Sequence, residues 1–104
     1  MSKYDVAWTG QFKKDYKLAR KRNLKIELLD EIIRKLSRGE VLSQENRDHA
    51  LSGNWSGYRE CHVQPDWLLI YRIEEGLLIL TVTIHSRLVQ ELRTLVFDED
   101  FRAA

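Results

Sequence analysis

Two runs of Leu, Ile, Val and aromatic residues, Trp67 to Ile73 and Leu77 to about His85, face each other across Glu74-Glu75-Gly76. Short runs this rich in β-formers, joined by a turn tripeptide, predict an antiparallel strand pair. Their apolar residues are nearly continuous on the core side, so the pair belongs at the centre of a sheet covered by helices. A chain of 104 residues closes one core and no more. Everything else must therefore flank this pair or cover it.

The flanking elements are legible from periodicity. Tyr4 to Trp8 alternates apolar and polar residues and predicts a short opening strand. Thr9 caps a helix from Gly10 to about Arg22, with Phe12, Tyr16 and Ala19 on one face and Asn23 at its end. Leu28, Leu29, Ile32, Ile33 and Leu36 form the stripe of a second helix, which stops at Gly39 and carries the spacings Asp30/Arg34 and Glu31/Lys35. Glu40 to Gly57 reads as an irregular connection, and Tyr58 to Val63 as a further strand. Leu88, Leu92 and Leu95 suggest a short C-terminal helix, with residues 96–104 a frayed acidic tail. The expectation is a single α+β domain spanning 1–104: an antiparallel meander sheet with an N-terminal edge strand, two helices packed on one face and a short C-terminal helix.

Charge divides the chain. Residues 1–38 hold eleven Lys and Arg against five Asp and Glu, while residues 39–104 hold six against eleven. The cationic half suits a polyanion or simply keeps a helix solvated. Lys13, Lys14, Lys17, Lys21 and Arg22 populate the outer side of the first helix and are the candidate contacts to such a polyanion. No apolar run approaches the roughly 20 residues that span a bilayer, and no secretory stretch opens the chain, so a cytoplasmic protein without membrane contact is expected. A single cysteine, Cys61, excludes an internal disulfide and a zinc ribbon.

All three histidines, His49, His62 and His85, fall in the second half at loop or strand ends. Strand alternation puts Tyr58, Glu60 and His62 on one face. It likewise groups Ile79, Thr81, Thr83 and His85 on a polar face opposite Leu78, Leu80, Val82 and Ile84. A meander can then gather His62, Asp66 and His85 at one end of the sheet, with His49 joining from the connection. Histidine exchanges protons near neutral pH, which suits RNA cleavage through the 2′-hydroxyl: one group takes that proton and another protonates the 5′-oxygen. The set offers acid and base but no obvious cation for the phosphorane. Three unrelated surface histidines is the bland alternative, and a zinc site is a third, although the spacing matches no common ligand motif. Trp55, Tyr58, Trp67 and Tyr71 cluster in the same stretch and could stack unpaired bases or fill the core.

Asp48-His49-Ala50-Leu51, then Gly53-x-Trp55-x-Gly57-Tyr58-Arg59-Glu60-x-His62-Val63-x-Pro65-Asp66-Trp67-Leu68-Leu69-Ile70-Tyr71, and finally His85-Ser86 closely resemble the YafQ branch of the RelE-like toxins of bacterial type II toxin-antitoxin systems. The resemblance runs from about Tyr4 to Ser86. It implies a ribosome-dependent mRNA endoribonuclease that needs no metal or small-molecule cofactor and is silenced by a cognate antitoxin. It also implies that His49, His62, Asp66 and His85 form the catalytic set, with His85 as general acid and the base left open. Trp67, Tyr71, Arg59 and Arg87 become the candidate substrate contacts, and the basic helices the contacts to ribosomal RNA. One departure stands out: the family's phosphate-stabilising arginine, four residues before the last histidine, is Thr81 here. Either Arg87 or Arg93 replaces it, or activity is reduced. The alternative is a weakened toxin fold retained as an antitoxin-binding module of a repressor complex.

Overall fold

The computed structural model describes residues 2–86. The segments expected to form a C-terminal helix and an acidic tail, with Arg87 and Arg93, lie outside the described residues. Five strands form one sheet: β1 (Asp5–Trp8), β2 (His49–Ala50), β3 (Arg59–Gln64), β4 (Trp67–Glu74) and β5 (Leu77–His85). The sheet order is β1-β5-β4-β3-β2, so β1 forms an edge beside β5, the last strand among the described residues. β1 runs parallel to β5, and every other pairing is antiparallel. Two helices, α1 (Gly10–Lys21) and α2 (Ile26–Ser37), follow β1 in the chain. Single 3-10 turns at Gln44–Asn46 and Gly53–Trp55, together with β2, give the connection after α2 more order than its sequence suggests.

The local chemistry explains the boundaries. Thr9 Oγ1 accepts the Phe12 amide at 3.0 Å and starts α1. Asn23, in the left-handed region at φ 60°, ends the turn after it. Glu75 and Gly76 both have positive φ, the geometry of a tight two-residue hairpin turn between β4 and β5. Phe12, Ala19, Leu29 and Leu36 of the helices, with Cys61, Trp67, Leu69, Tyr71, Leu78 and Leu80 of the sheet, form the buried core. Ile70 and Val82, which the register puts on the sheet's other side, are also buried, so the central strands are apolar on both sides. Trp8, at the end of β1, is 38% exposed and packs on Phe12 and Tyr16. Asp30 takes the Tyr16 hydroxyl at 2.7 Å and so ties α2 to α1, while Arg34 pairs with Glu31.

The strict alternation expected for β5 fails at Thr81. Ile70 pairs with Val82 and Tyr71 with Leu80, leaving Thr81 as the extra residue of a β-bulge. Thr83 and His85 therefore share the side of Leu78 and Leu80, not that of Ile79. A second shift falls between His62 and Gln64 on β3, which brings Gln64 opposite Trp67.

The bulge has a cause. β1 ends at Trp8 opposite Leu80, so β5 beyond that point lacks a neighbour on this edge. Side chains from the α1 region complete it: Thr9 Oγ1 donates to the Thr81 carbonyl at 2.7 Å, and Asp15 Oδ2 accepts the Thr83 amide at 3.1 Å. Asp15 is 1% exposed, and its other oxygen accepts the Gln11 amide at 2.8 Å. Burial raises its pKa from 3.8 to about 6, against the lowering effect of those hydrogen bonds and of Lys14.

Because the folded pKa lies above the unfolded one, the stabilisation from Asp15 protonation is full below about pH 4 and is lost as pH rises through about 6. Asp15→Asn removes this titration. Urea unfolding at pH 4 and pH 7 should show the variant gaining roughly 2–3 kcal/mol relative to the parent over that interval. Parallel pH profiles would show that Asp15 ionises in the fold without cost.

Candidate functional site

The turn from β3 to β4 is where the candidate residues meet. His62, near the end of β3, has Nδ1 3.2 Å from the Pro65 carbonyl. That bond is made when Nδ1 carries the proton, which leaves Nε2 as the ring's free position for proton exchange. Asp66 follows Pro65 in the turn. Its backbone carbonyl accepts the Ser86 amide at 3.0 Å, latching the turn to the end of β5. Its Oδ1 lies 3.7 Å from His85 Nε2. His85 is 5% exposed and stands opposite Trp67 in the ladder, with the two rings edge to face at 5.8 Å.

Trp67 is itself fixed. Its indole Nε1 donates to Thr83 Oγ1 at 2.9 Å, and that hydroxyl donates to the Leu68 carbonyl at 2.6 Å. Thr83 is the residue whose amide Asp15 holds. A continuous set of contacts thus leads from α1 to the His85 ring.

His62, Asp66 and His85 come together as expected, but not on one face. The register puts His62 on the side of Ile70 and His85 on the side of Trp67, because the Thr81 bulge reverses the alternation before His85. The two imidazoles approach the turn from opposite sides of the sheet. His49 forms a separate pair: its Nε2 is 3.3 Å from Glu60 Oε1 and its Nδ1 is 2.7 Å from the Arg47 carbonyl. Both ring nitrogens of His49 thus face acceptor oxygens. Glu60 and His62 lie on the same side of β3, about 7 Å apart along the strand, so the row His49-Glu60-His62 borders the open side of the turn. Among the described residues no group of three His, Cys, Asp or Glu side chains converges as metal ligands.

The substrate contacts inferred from sequence fare differently. Trp67 and Tyr71 are 0% and 1% exposed, so neither offers a face on which a base can stack. The Tyr71 hydroxyl instead donates to Asp48 Oδ1 at 2.7 Å, and burial with that bond raises its pKa. Arg59 donates to the same carboxylate oxygen from 3.3 Å. It pairs with Tyr71, four residues along β4 from Trp67 and so about 13 Å from the His85 row. Its place is the groove bounded by Leu36, Leu42 and Ile73, whose lining includes neither His62 nor His85. Cys61 is buried, and burial first and the Asp48 and Glu60 charges second push its thiol up to about 12, so it is no nucleophile. The basic residues are where expected: Lys13, Lys14, Lys17, Lys21 and Arg22 are all exposed on or just after α1.

Three residues that the sequence reading did not single out border the candidate set. Glu60 partners His49, Asp48 organises Arg59 and Tyr71, and Lys25 lines a shallow pocket of about 380 Å³ together with Asn23, Leu24, Gln64, Asp66 and His85.

The fold and site define a small α+β domain with an imidazole and carboxylate cluster at one end of its sheet. Residues 4–90 match the family model described as the bacterial toxin of type II toxin-antitoxin systems, YafQ. The chain belongs to this toxin family. It is 40% identical over 79 residues to the mRNA interferase toxin YafQ of Escherichia coli K12, covering 75% of this chain and 86% of that protein. The crystal structure of YafQ from E. coli BL21(DE3) superposes with a TM-score of 0.75 at 37% identity, over 83% of this chain and 97% of that one. The E. coli DinJ-YafQ toxin-antitoxin complex gives a TM-score of 0.75 at 36% identity, over 86% and 97% of the two chains.

The buried tyrosine provides a check on the site boundary. Tyr71→Phe removes one hydrogen bond to Asp48 and should cost about 1 kcal/mol of stability while leaving RNA cleavage unchanged. Unchanged stability with lost cleavage would place the hydroxyl on the substrate instead.

Proposed function

We propose that this toxin is a ribosome-dependent mRNA endoribonuclease that cleaves by acid-base transfer without a metal ion. The observation that carries the reading is the convergence of His62, Asp66 and His85 on the β3–β4 turn. In the reaction the 2′-oxygen of the substrate attacks the adjacent phosphorus as its proton passes to a base. The bond from phosphorus to the 5′-oxygen breaks, and that oxygen takes a proton from an acid. The products are a 2′,3′-cyclic phosphate and a 5′-hydroxyl, so no atom from a cofactor is required.

His85 fits the acid because its ring is held by Trp67 and its Nε2 is faced by Asp66. His62 and His49 are the candidate bases: His62 has Nδ1 beside a backbone carbonyl and Nε2 left for the proton, whereas the Nε2 of His49 already faces Glu60. A fixed donor or acceptor of this kind contributes roughly 10²–10⁴ in rate. The exposed cations of α1 serve ribosomal RNA, and a cognate antitoxin silences the chain, as DinJ partners YafQ in the E. coli complex. Cytoplasmic residence follows from that substrate. Among the described residues no helix is long and apolar enough to cross a membrane.

His85→Ala should lower mRNA cleavage on programmed ribosomes by about 10² or more and relieve growth arrest on expression without a partner. Cleavage should persist in EDTA at magnesium levels that keep ribosomes intact. Full activity in the alanine variant would remove His85 from the acid-base set, whereas growth unaffected by soluble expression of the parent chain would favour the antitoxin-binding module.

Replacing Lys13, Lys14, Lys17, Lys21 and Arg22 by alanine should weaken ribosome binding without unfolding the chain, since exposed charges contribute little to stability. The plot of log affinity against log salt should become shallower, because fewer counterions are released. Equal affinity at low salt would assign these charges to solubility alone.

A further inference from the structure

Among the described residues, the acid-base reading assigns no cation to the charge on the scissile phosphate. Thr81 stands where the family arginine is expected, and it is the extra residue of the bulge, with its hydroxyl 3.4 Å from the Ile79 carbonyl. The alternation that would align residue 81 with His85 is broken there.

Lys25 sits where local helix chemistry disfavours it. It is the N-cap of α2, and its side chain makes no cap hydrogen bond. Ser, Thr, Asp and Asn are preferred at such a position because they accept from the exposed N–H groups of the first turn. A cation there also faces the positive end of the helix. A residue that breaks a local rule without a local gain points to another use.

The backbone holds Lys25 in place. Asn23 adopts the left-handed conformation, the Leu24 amide donates to the Ala19 carbonyl at 3.0 Å, and the Ile26 amide donates to the Leu24 carbonyl at 2.7 Å. Leu24 is 8% exposed and anchors the loop in the core. This places Lys25 on the rim of the pocket that contains Asp66 and His85. Asp66 repels an anion, so a phosphate enters only where positive charge outweighs it. Among the six residues lining this pocket, Lys25 and His85 are the two that carry positive charge, His85 when protonated.

We propose that Lys25 contacts a non-bridging oxygen of the scissile phosphodiester in this pocket and supplies the charge stabilisation that Thr81 does not. The ligand is the RNA phosphate itself. An ammonium on a flexible stem meets it as a point charge, without bidentate geometry. Lys25 forms and breaks no covalent bond, and the α2 N-terminus behind it adds to the local positive potential. The inference rests on the acid-base reading of His85.

The test compares Lys25→Ser and Lys25→Arg with the parent on programmed ribosomes, reading kcat, ribosome affinity and thermal midpoint separately. Lys25→Ser should lower kcat about tenfold or more, keep ribosome affinity within about twofold, and melt at or above the parent temperature, since serine is a better cap. Lys25→Arg should retain most of the activity. Unchanged kcat in Lys25→Ser overturns the proposal. So does loss of affinity with kcat intact, which would place Lys25 on a ribosomal RNA phosphate. A second measurement needs no cleavage: titration of uridine 3′-phosphate, followed by NMR at the His85 ring, should give saturable shifts in the parent that are lost in Lys25→Ser. Equal shifts in both proteins overturn the proposal. Full cleavage by His85→Ala would sink the acid-base reading itself, whereas failure of the Lys25 arms alone leaves that reading standing.

Discussion

Beyond Leu80, β5 runs out of partner on one edge, and the arrangement around His85 depends on how that edge is completed. Backbone donors and acceptors inside a fold need partners. Thr9 and Asp15 provide them for the Thr81 carbonyl and the Thr83 amide. The bulge between these contacts turns Thr83 toward the Trp67 indole, and Trp67 in turn packs against His85. A helix cap, a buried carboxylate and a catalytic candidate are therefore parts of one construction. The raised pKa of Asp15 measures the cost of placing an ionisable group where a strand would otherwise have supplied a carbonyl.

Periodicity revealed much of this fold because most of it obeys periodicity. The strand pair Trp67–Ile73 and Leu77–His85, the Glu75-Gly76 turn, the Thr9 cap and the apolar stripe of α2 all follow from spacing two, spacing three to four, or turn chemistry. The side of the sheet that His85 occupies did not follow. A bulge is an accommodation between β5 and groups contributed by Thr9 and Asp15, more than sixty residues earlier in the chain, and nothing in Leu80-Thr81-Val82 announces it. The same limit applies to Asp30, whose spacing points to Arg34 within its helix but whose carboxylate meets Tyr16 on the neighbouring one.

For the site, titratable residue types at strand ends were a good guide: His62, Asp66 and His85 do meet at one turn. The aromatic residues were a poor guide, since Trp67 and Tyr71 combine large apolar area with a polar handle and so suit a buried, hydrogen-bonded position. Their hydrogen bonds run to Thr83 and Asp48, within the fold. Glu60 could have been singled out from strand alternation, because it shares a side with His62. Lys25 had a fainter signal, a lysine where the second helix begins, which gained meaning only once the α1–α2 loop was seen to border the His85 pocket.

Membership in the toxin family and the geometry of the turn meet in one chemical claim, that RNA is cut through its own 2′-hydroxyl by protein side chains. The end groups of the cleaved message test it most directly. Cleavage on ribosomes should leave a 2′,3′-cyclic phosphate, or the 3′-phosphate formed by its hydrolysis, on the upstream fragment and a 5′-hydroxyl on the downstream one. A 3′-hydroxyl and a 5′-phosphate would mean that water rather than the 2′-oxygen attacks phosphorus, and would contradict the account.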